Sequence, residues 1–130
     1  MLRLGSEKEA LSIINDQIGA PTGAALIADI TAHALRMIQA NPDLRGTYNL
    51  AAAGETSWFE YASLIFTESE KYSAGLKIKK LSPIKTAEYI TPAKRPLNSR
   101  LDLSRLEKSF SLNMPPWQDG VRYVIQEILT

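Results

Sequence analysis

With 130 residues, 45% of them apolar and 22% charged, the chain has the composition of one globular domain with a modest core. The absence of cysteine excludes disulfides and thiolate metal sites, and a net charge of +1 with both signs scattered leaves no footprint for nucleic acid. No apolar run of about 18 residues and no basic-then-apolar leader occurs, so neither a membrane span nor a secretory signal is expected, and the expected location is cytoplasmic.

Met1-Leu2-Arg3-Leu4-Gly5 reads as the last turn of an amphipathic helix closed by glycine, with nothing ahead of it to start that helix. The expectation is one domain over residues 1–130, cut from a longer protein. Leu11 to Asp16 is a short apolar run with β-branched residues, expected as a buried strand. Gln17 to Thr22, with Gly19 and Pro21, is expected as a turn. The clearest helix follows: Leu26, Ile27, Ile30, Ala34, Leu35, Met37 and Ile38 share one face, with Thr22 as the expected N-cap and Asn41-Pro42 as the stop.

Gly46 to Ala52 reads as a second strand, closed by Gly54. Ser57 and Glu60 have capping-box spacing at the head of a helix whose expected buried stripe is Trp58, Tyr61, Ala62, Ile65 and Phe66. Leu76 to Leu81 alternates apolar residues with lysine, as an edge strand does. Ser82 to Asn98 carries Pro83, Pro92 and Pro96 without periodicity and is expected as a long surface loop. Arg100 to Leu103 reads as extended. Ser104 and Glu107 repeat the capping-box spacing before a short helix ending near Phe110. Pro115-Pro116 opens a last helix with Trp117, Val121, Ile125, Ile128 and Leu129 on one face. The expected fold is α/β, or α+β for the chain by itself, with three long helices, one or two short ones, and three or four short strands. These are too few strands for a complete dinucleotide fold.

No glycine-rich dinucleotide cradle occurs, and no tyrosine is followed by lysine four positions on. His33, the one histidine, lies inside the first long helix and is read as a helix-surface residue. Acidic residues do not cluster at metal-ligand spacing, so no catalytic, cofactor-binding or metal-binding residue is assigned. Two segments remain as a candidate site. Gln17, Gly19, Pro21 and Thr22 sit at a strand-to-helix junction, where open α/β sheets bind ligands; an ordinary capped turn is the alternative. Arg95, Asn98, Ser99 and Arg100 combine guanidinium, amide and hydroxyl groups on a proline-stiffened loop, as a diphosphate requires; a solvated basic loop is the alternative. Trp58-Phe59 and Trp117 lie in helical stripes and are read as core.

Ile14-Asn15-Asp16-Gln17-x-Gly19-x-Pro21-Thr22 resembles a segment of the dTDP-4-dehydrorhamnose reductase family, a branch of the extended short-chain dehydrogenases. Gly46-x-Tyr48-Asn49, then Gly54-x-x-Ser57-Trp58-x-x-Tyr61-Ala62, resembles that family's next strand and helix. Arg95-Pro96-x-Asn98-Ser99-Arg100-Leu101-Asp102 and Pro116-Trp117-x-x-Gly120 are similar to its substrate-side loop and closing helix. The four blocks keep family order and cover nearly the whole chain. The resemblance implies the substrate lobe of a two-lobed enzyme, with dTDP-sugar as ligand. A separate N-terminal Rossmann lobe, the partner in the same protein, would bind NADPH or NADH and supply Ser/Thr, Tyr and Lys. It also implies homodimers for part of the family, bridged by metal through acidic residues that are not assigned here. A non-catalytic regulatory relative and a reductase or epimerase for another nucleotide sugar are the competing readings.

Overall fold

The computed structural model describes residues 1–72 and 75–130. It contains α1 (Leu2–Glu7), β1 (Ala10–Ile14), β2 (Ile18–Gly19), α2 (Ala24–Ala40), β3 (Thr56–Ser57), α3 (Trp58–Glu70), β4 (Lys80–Ile84), α4 (Ser104–Phe110) and α5 (Trp117–Leu129). Two 3-10 turns, Pro42–Leu44 and Thr86–Glu88, complete the described elements. The strands form two separate pairs. β1 runs parallel to β4, from Ala10 beside Lys80 to Ile14 beside Ile84, and β2 runs antiparallel to β3. A mixed α/β fold with three long helices and four short strands is therefore present, as expected.

Several elements differ from the expectation, each for a physical reason. Gly5 does not close α1, which continues to Glu7; it is buried within the helix, and a methyl group there would lie 2.6 Å from Phe66 Cε1. The glycine lets α1 approach α3. Residues Gly46 to Ala52 form no strand, because no neighbouring chain runs beside them. The Ala52 amide is instead satisfied by the Thr22 hydroxyl at 3.1 Å, and Ala53 makes a single bridge to Pro116. The lysine-alternating stretch before Lys80 is not the strand itself. Its amides reach back to Gly5 and Glu9 carbonyls, and pairing with β1 begins only at Lys80 and runs through Pro83. The loop expected from Ser82 therefore starts later: Ser82 to Ile84 finish β4, and one 3-10 turn follows. Arg100 to Leu103 joins no strand.

The caps also divide. At α3 the capping box is complete: Glu60 N–H donates to Ser57 Oγ at 3.1 Å, and Ser57 N–H donates to Glu60 Oε2 at 3.0 Å. These bonds hold the Glu60 carboxyl below the usual carboxylate range, chiefly through the Ser57 amide. At α4 the Ser104/Glu107 box does not form. The Asp102 carboxylate receives the Ser104 amide at 2.9 Å, while Glu107 takes the Met114 amide at 3.2 Å. Thr22 does not cap α2, whose N-cap is Gly23.

Two small cores result. Ile13, Ala62, Ile65, Phe66, Trp117, Val121 and Ile125 pack β1 against α3 and α5. Leu106, Phe110 and Met114 form the second, covered by Ile30, Ala34, Met37 and Ile38 of α2, and Leu26 touches both. α2 lies mainly on this smaller core; none of its residues is fully buried, and Ile27 and Leu35 stay exposed. Ile128, expected on the buried face of α5, is exposed and lines an apolar groove, while Leu129 beside it packs on the first core. His33 is more than a surface residue: its Nε2 lies 3.0 Å from the Phe110 carbonyl, joining α2 to the C-terminus of α4.

Glu68, buried on α3, binds Arg122 of α5 at 3.2 Å and Lys71 at the C-cap of α3, linking the two helices of the first core. The Lys71 hydrogen bond first, then Arg122, holds its carboxyl below the ordinary range. A lowered folded-state pKa stabilises the fold fully above the unfolded value of about 4.3 and loses that effect as pH falls through the folded value. Glu68→Gln should therefore be less stable than wild type in urea at pH 7, and the difference should shrink at pH 3. Gly5→Ala should lose about 1–3 kcal/mol of unfolding free energy, because displacing the buried Phe66 ring outweighs alanine's helix preference of about 1 kcal/mol. Urea midpoints measure both.

Candidate functional site

The Ile18 backbone joins the two segments singled out above. Its N–H donates to the Leu97 carbonyl and its carbonyl accepts from Ser99 N–H, both at 2.8 Å, giving a parallel bridge between Ile18 and Asn98. On its other side Ile18 pairs with Ser57. The expected turn at Gln17 to Thr22 thus contains β2 as the middle of three short extended pieces. The arrangement carries the Gln17–Thr22 loop, the head of α3 and the Arg95–Ser99 loop to the rim of one cleft of about 570 Å³.

Gln17, Gly19, Pro21 and Thr22 line one wall of this cleft, and Arg95, Pro96 and Ser99 line another. Thr56, Ser57, Trp58 and Tyr61 line the third. Six of the eight residues chosen from sequence therefore meet. Asn98 and Arg100 do not line the cleft. Arg100 donates to Glu55 at 2.7 Å, and its Nε and backbone N–H both donate to Asn98 Oδ1. The pair braces the outer side of the loop.

Local bonds fix the loops. The Asp16 carboxylate accepts the Thr86 hydroxyl at 2.6 Å and the Thr86 amide at 2.9 Å, and Gln17 donates to the same hydroxyl at 3.2 Å. The Thr86 hydroxyl holds the Asp16 carboxyl below the usual range against the opposing effect of desolvation, so Asp16 is charged at neutral pH. The Thr22 hydroxyl donates to the Ala20 carbonyl and accepts the Ala52 amide, tying the end of the loop to the chain before β3. At Gly19 the protein itself makes no steric demand for glycine: an added methyl would meet only Ser99 Cβ, at 3.8 Å.

The sequence reading missed the third wall. Trp58 is 50% exposed rather than buried, while Trp117 is 5% exposed and belongs to the core as expected. Trp58 and Ala62 are one turn apart and share the helical stripe, but the first turn of α3 overlies the cleft and only later turns meet the sheet. The signal was available in the capping box: a residue directly after the cap lies at the helix end, where a stripe often outruns its partner. A second, more apolar groove of about 340 Å³ adjoins the first through Pro21, Thr22 and Tyr61. Among the described residues no three His, Asp or Glu side chains gather as a metal site, and no helix is long and apolar enough to cross a membrane.

An α/β unit with a cleft where short strands meet helix starts is the class these features define. The chain matches the RmlD substrate binding domain over residues 1–130 and belongs to that family. It is 48% identical, over its whole length, to the dTDP-4-dehydrorhamnose reductase of Escherichia coli K12, covering 44% of that protein. The dTDP-4-dehydrorhamnose reductase of Bacillus anthracis, solved in complex with NADP, superposes with a TM-score of 0.81 at 32% identity, over 97% of this chain and 41% of that one. The orthologue from Clostridium acetobutylicum gives 0.85 at 26% identity, over 99% and 42%. The chain thus spans less than half the length of these relatives.

Proposed function

We propose that the cleft binds the nucleotide-sugar substrate of a dTDP-4-dehydrorhamnose reductase, with this chain as the substrate-binding lobe. The observation that carries the reading is the Ile18 bridge, which sets Arg95 and the Gln17–Thr22 loop on one cleft. Among the described residues no Asp or Glu lines that cleft, and the nearby Glu60 carboxylate is engaged by the Ser57 amide and the Thr56 and Ser57 hydroxyls. The ligand would be dTDP-4-dehydro-L-rhamnose. A separate Rossmann lobe would hold NADPH or NADH and a Tyr/Lys pair, and hydride would pass to the C4 ketone while its oxygen takes a proton. The product is dTDP-L-rhamnose, for cell-surface polysaccharide, and the expected location is the cytoplasm. Among this chain's own residues, the roles assigned are binding and orientation. Gly19 leaves room for a ligand against the backbone, Gln17 and Ser99 offer directional hydrogen bonds, and Thr22, whose hydroxyl is held by Ala20 and Ala52, shapes the wall.

Of the two arginines, Arg95 is the one assigned to the diphosphate. It lines the cleft and has no ion-pair partner among the described residues, whereas Arg100 is held by Glu55 and Asn98. A guanidinium meeting a diphosphate makes bidentate, charge-assisted bonds. Pro96 stiffens the loop and reduces the ordering entropy lost on binding.

In the full-length protein, Arg95→Ala should weaken dTDP binding by about ten- to a hundred-fold, roughly 1.5–3 kcal/mol, as read by titration calorimetry. Arg100→Ala should cost only a few-fold, because it loosens the loop without removing a ligand contact. Wild-type binding by a folded Arg95→Ala would overturn the assignment. The 130-residue chain by itself should not oxidise NADPH in the presence of dTDP-4-dehydrorhamnose, since it carries neither a glycine-rich cradle nor a Tyr-x-x-x-Lys pair. Turnover above the enzyme-free rate would contradict the two-lobe reading.

A further inference from the structure

We infer that Trp58 is the stacking platform for the nucleotide base in this cleft, a role that rests on the nucleotide-sugar reading above. Tryptophan is on average a well-buried residue, and its ring system buries about 150–250 Å² in a core. Trp58 leaves half of itself in water at the mouth of a cleft, which the packing of α3 does not require. It is also held in place. The Ser57/Glu60 capping box fixes the backbone beneath it. Tyr61 meets its ring at 5.9 Å and 74°, and buried Trp117 backs Tyr61 at 6.2 Å. A fixed, half-open indole presents a flat apolar surface at little conformational cost, and every base has a π-face to lay against one.

The remaining lining favours the base over the hexose as the stacked group. Hexose hydroxyls call for several carboxylates and amides around the ring, whereas among the described residues Gln17 is the one side-chain amide lining the cleft and no Asp or Glu lines it. A base needs mainly a flat contact. With Arg95 in the same cleft, one wall serves the diphosphate and another the base, so a nucleoside diphosphate is engaged at two chemically distinct points.

The test is titration calorimetry on the full-length protein with two probes, dTDP and inorganic pyrophosphate, the second lacking a base. Trp58→Ala should weaken dTDP binding about ten-fold and leave pyrophosphate within about two-fold. Trp58→Phe keeps an aromatic face and should restore dTDP binding to within about three-fold of wild type, which separates stacking from damage to α3. Arg95→Ala should weaken both probes. Equal losses of dTDP and pyrophosphate in Trp58→Ala, or no rescue by phenylalanine, would overturn the platform. Wild-type dTDP affinity in Trp58→Ala, with a raised KM for the dTDP-sugar, would instead put the hexose on the indole and overturn it too. If Arg95→Ala weakens dTDP while Trp58→Ala does not, the base assignment alone fails. If neither variant changes dTDP binding, the cleft itself is misassigned.

Discussion

Both backbone hydrogen-bonding groups of Ile18 are committed to the Leu97–Ser99 stretch, and the order of the cleft depends on that commitment. The bridge is long-range in sequence and minimal in extent: one residue pair between a two-residue strand and a loop. Each such bond contributes only about 0.5–1.5 kcal/mol net, so the bridge cannot order the loop unaided. What holds it is the surrounding set: β3 on the other side of Ile18, the Thr86 hydroxyl and amide on Asp16, and the Arg100–Glu55–Asn98 brace. The brace is half exposed, and exposed ion pairs contribute about 0–1 kcal/mol, so it serves geometry more than stability.

The interior is divided between two cores. The larger one, between β1, α3 and α5, carries buried Phe66 and Trp117 and the Glu68 linkage, and the head of α3 delivers Trp58 and Tyr61 from it to the cleft. The smaller one, under α2, is finished by His33 on the Phe110 carbonyl and by Arg105 stacked over Tyr48. The residue that touches both is Leu26, close behind Thr22. Cleft and cores therefore meet at the Thr22–Leu26 stretch, so that the Gln17–Thr22 loop inherits its position from the packed interior. A site on such supports loses less entropy on binding than one on free loops.

The helices, two of the cleft-lining segments and the family were legible in the sequence itself. Helical periodicity is a local property, so α2, α3 and α5 followed from the spacing of residues such as Ile30, Ile65 and Ile125. The capping box at Ser57 and Glu60 is likewise contained within four residues. Partnership was not legible. Whether Gly46 to Ala52 becomes a strand depends on a neighbour that local pattern cannot reveal, and α4 starts after Leu103 with the Ser104 amide on the Asp102 carboxylate rather than with a Ser104/Glu107 box. Gly5 looked like a helix stop and is an approach point for Phe66, a distinction that only the packing of α1 on α3 makes. Trp58 fits the buried stripe of α3 in sequence, yet the tertiary structure sets the first turn of that helix over the cleft. Gln17, Gly19, Pro21, Thr22, Arg95 and Ser99 were chosen from local chemistry, but their convergence required the Ile18 bridge. Short-range order follows from the chain's own torsions and side-chain spacing; which groups face one another across about 80 residues is decided by tertiary contacts that no local pattern encodes.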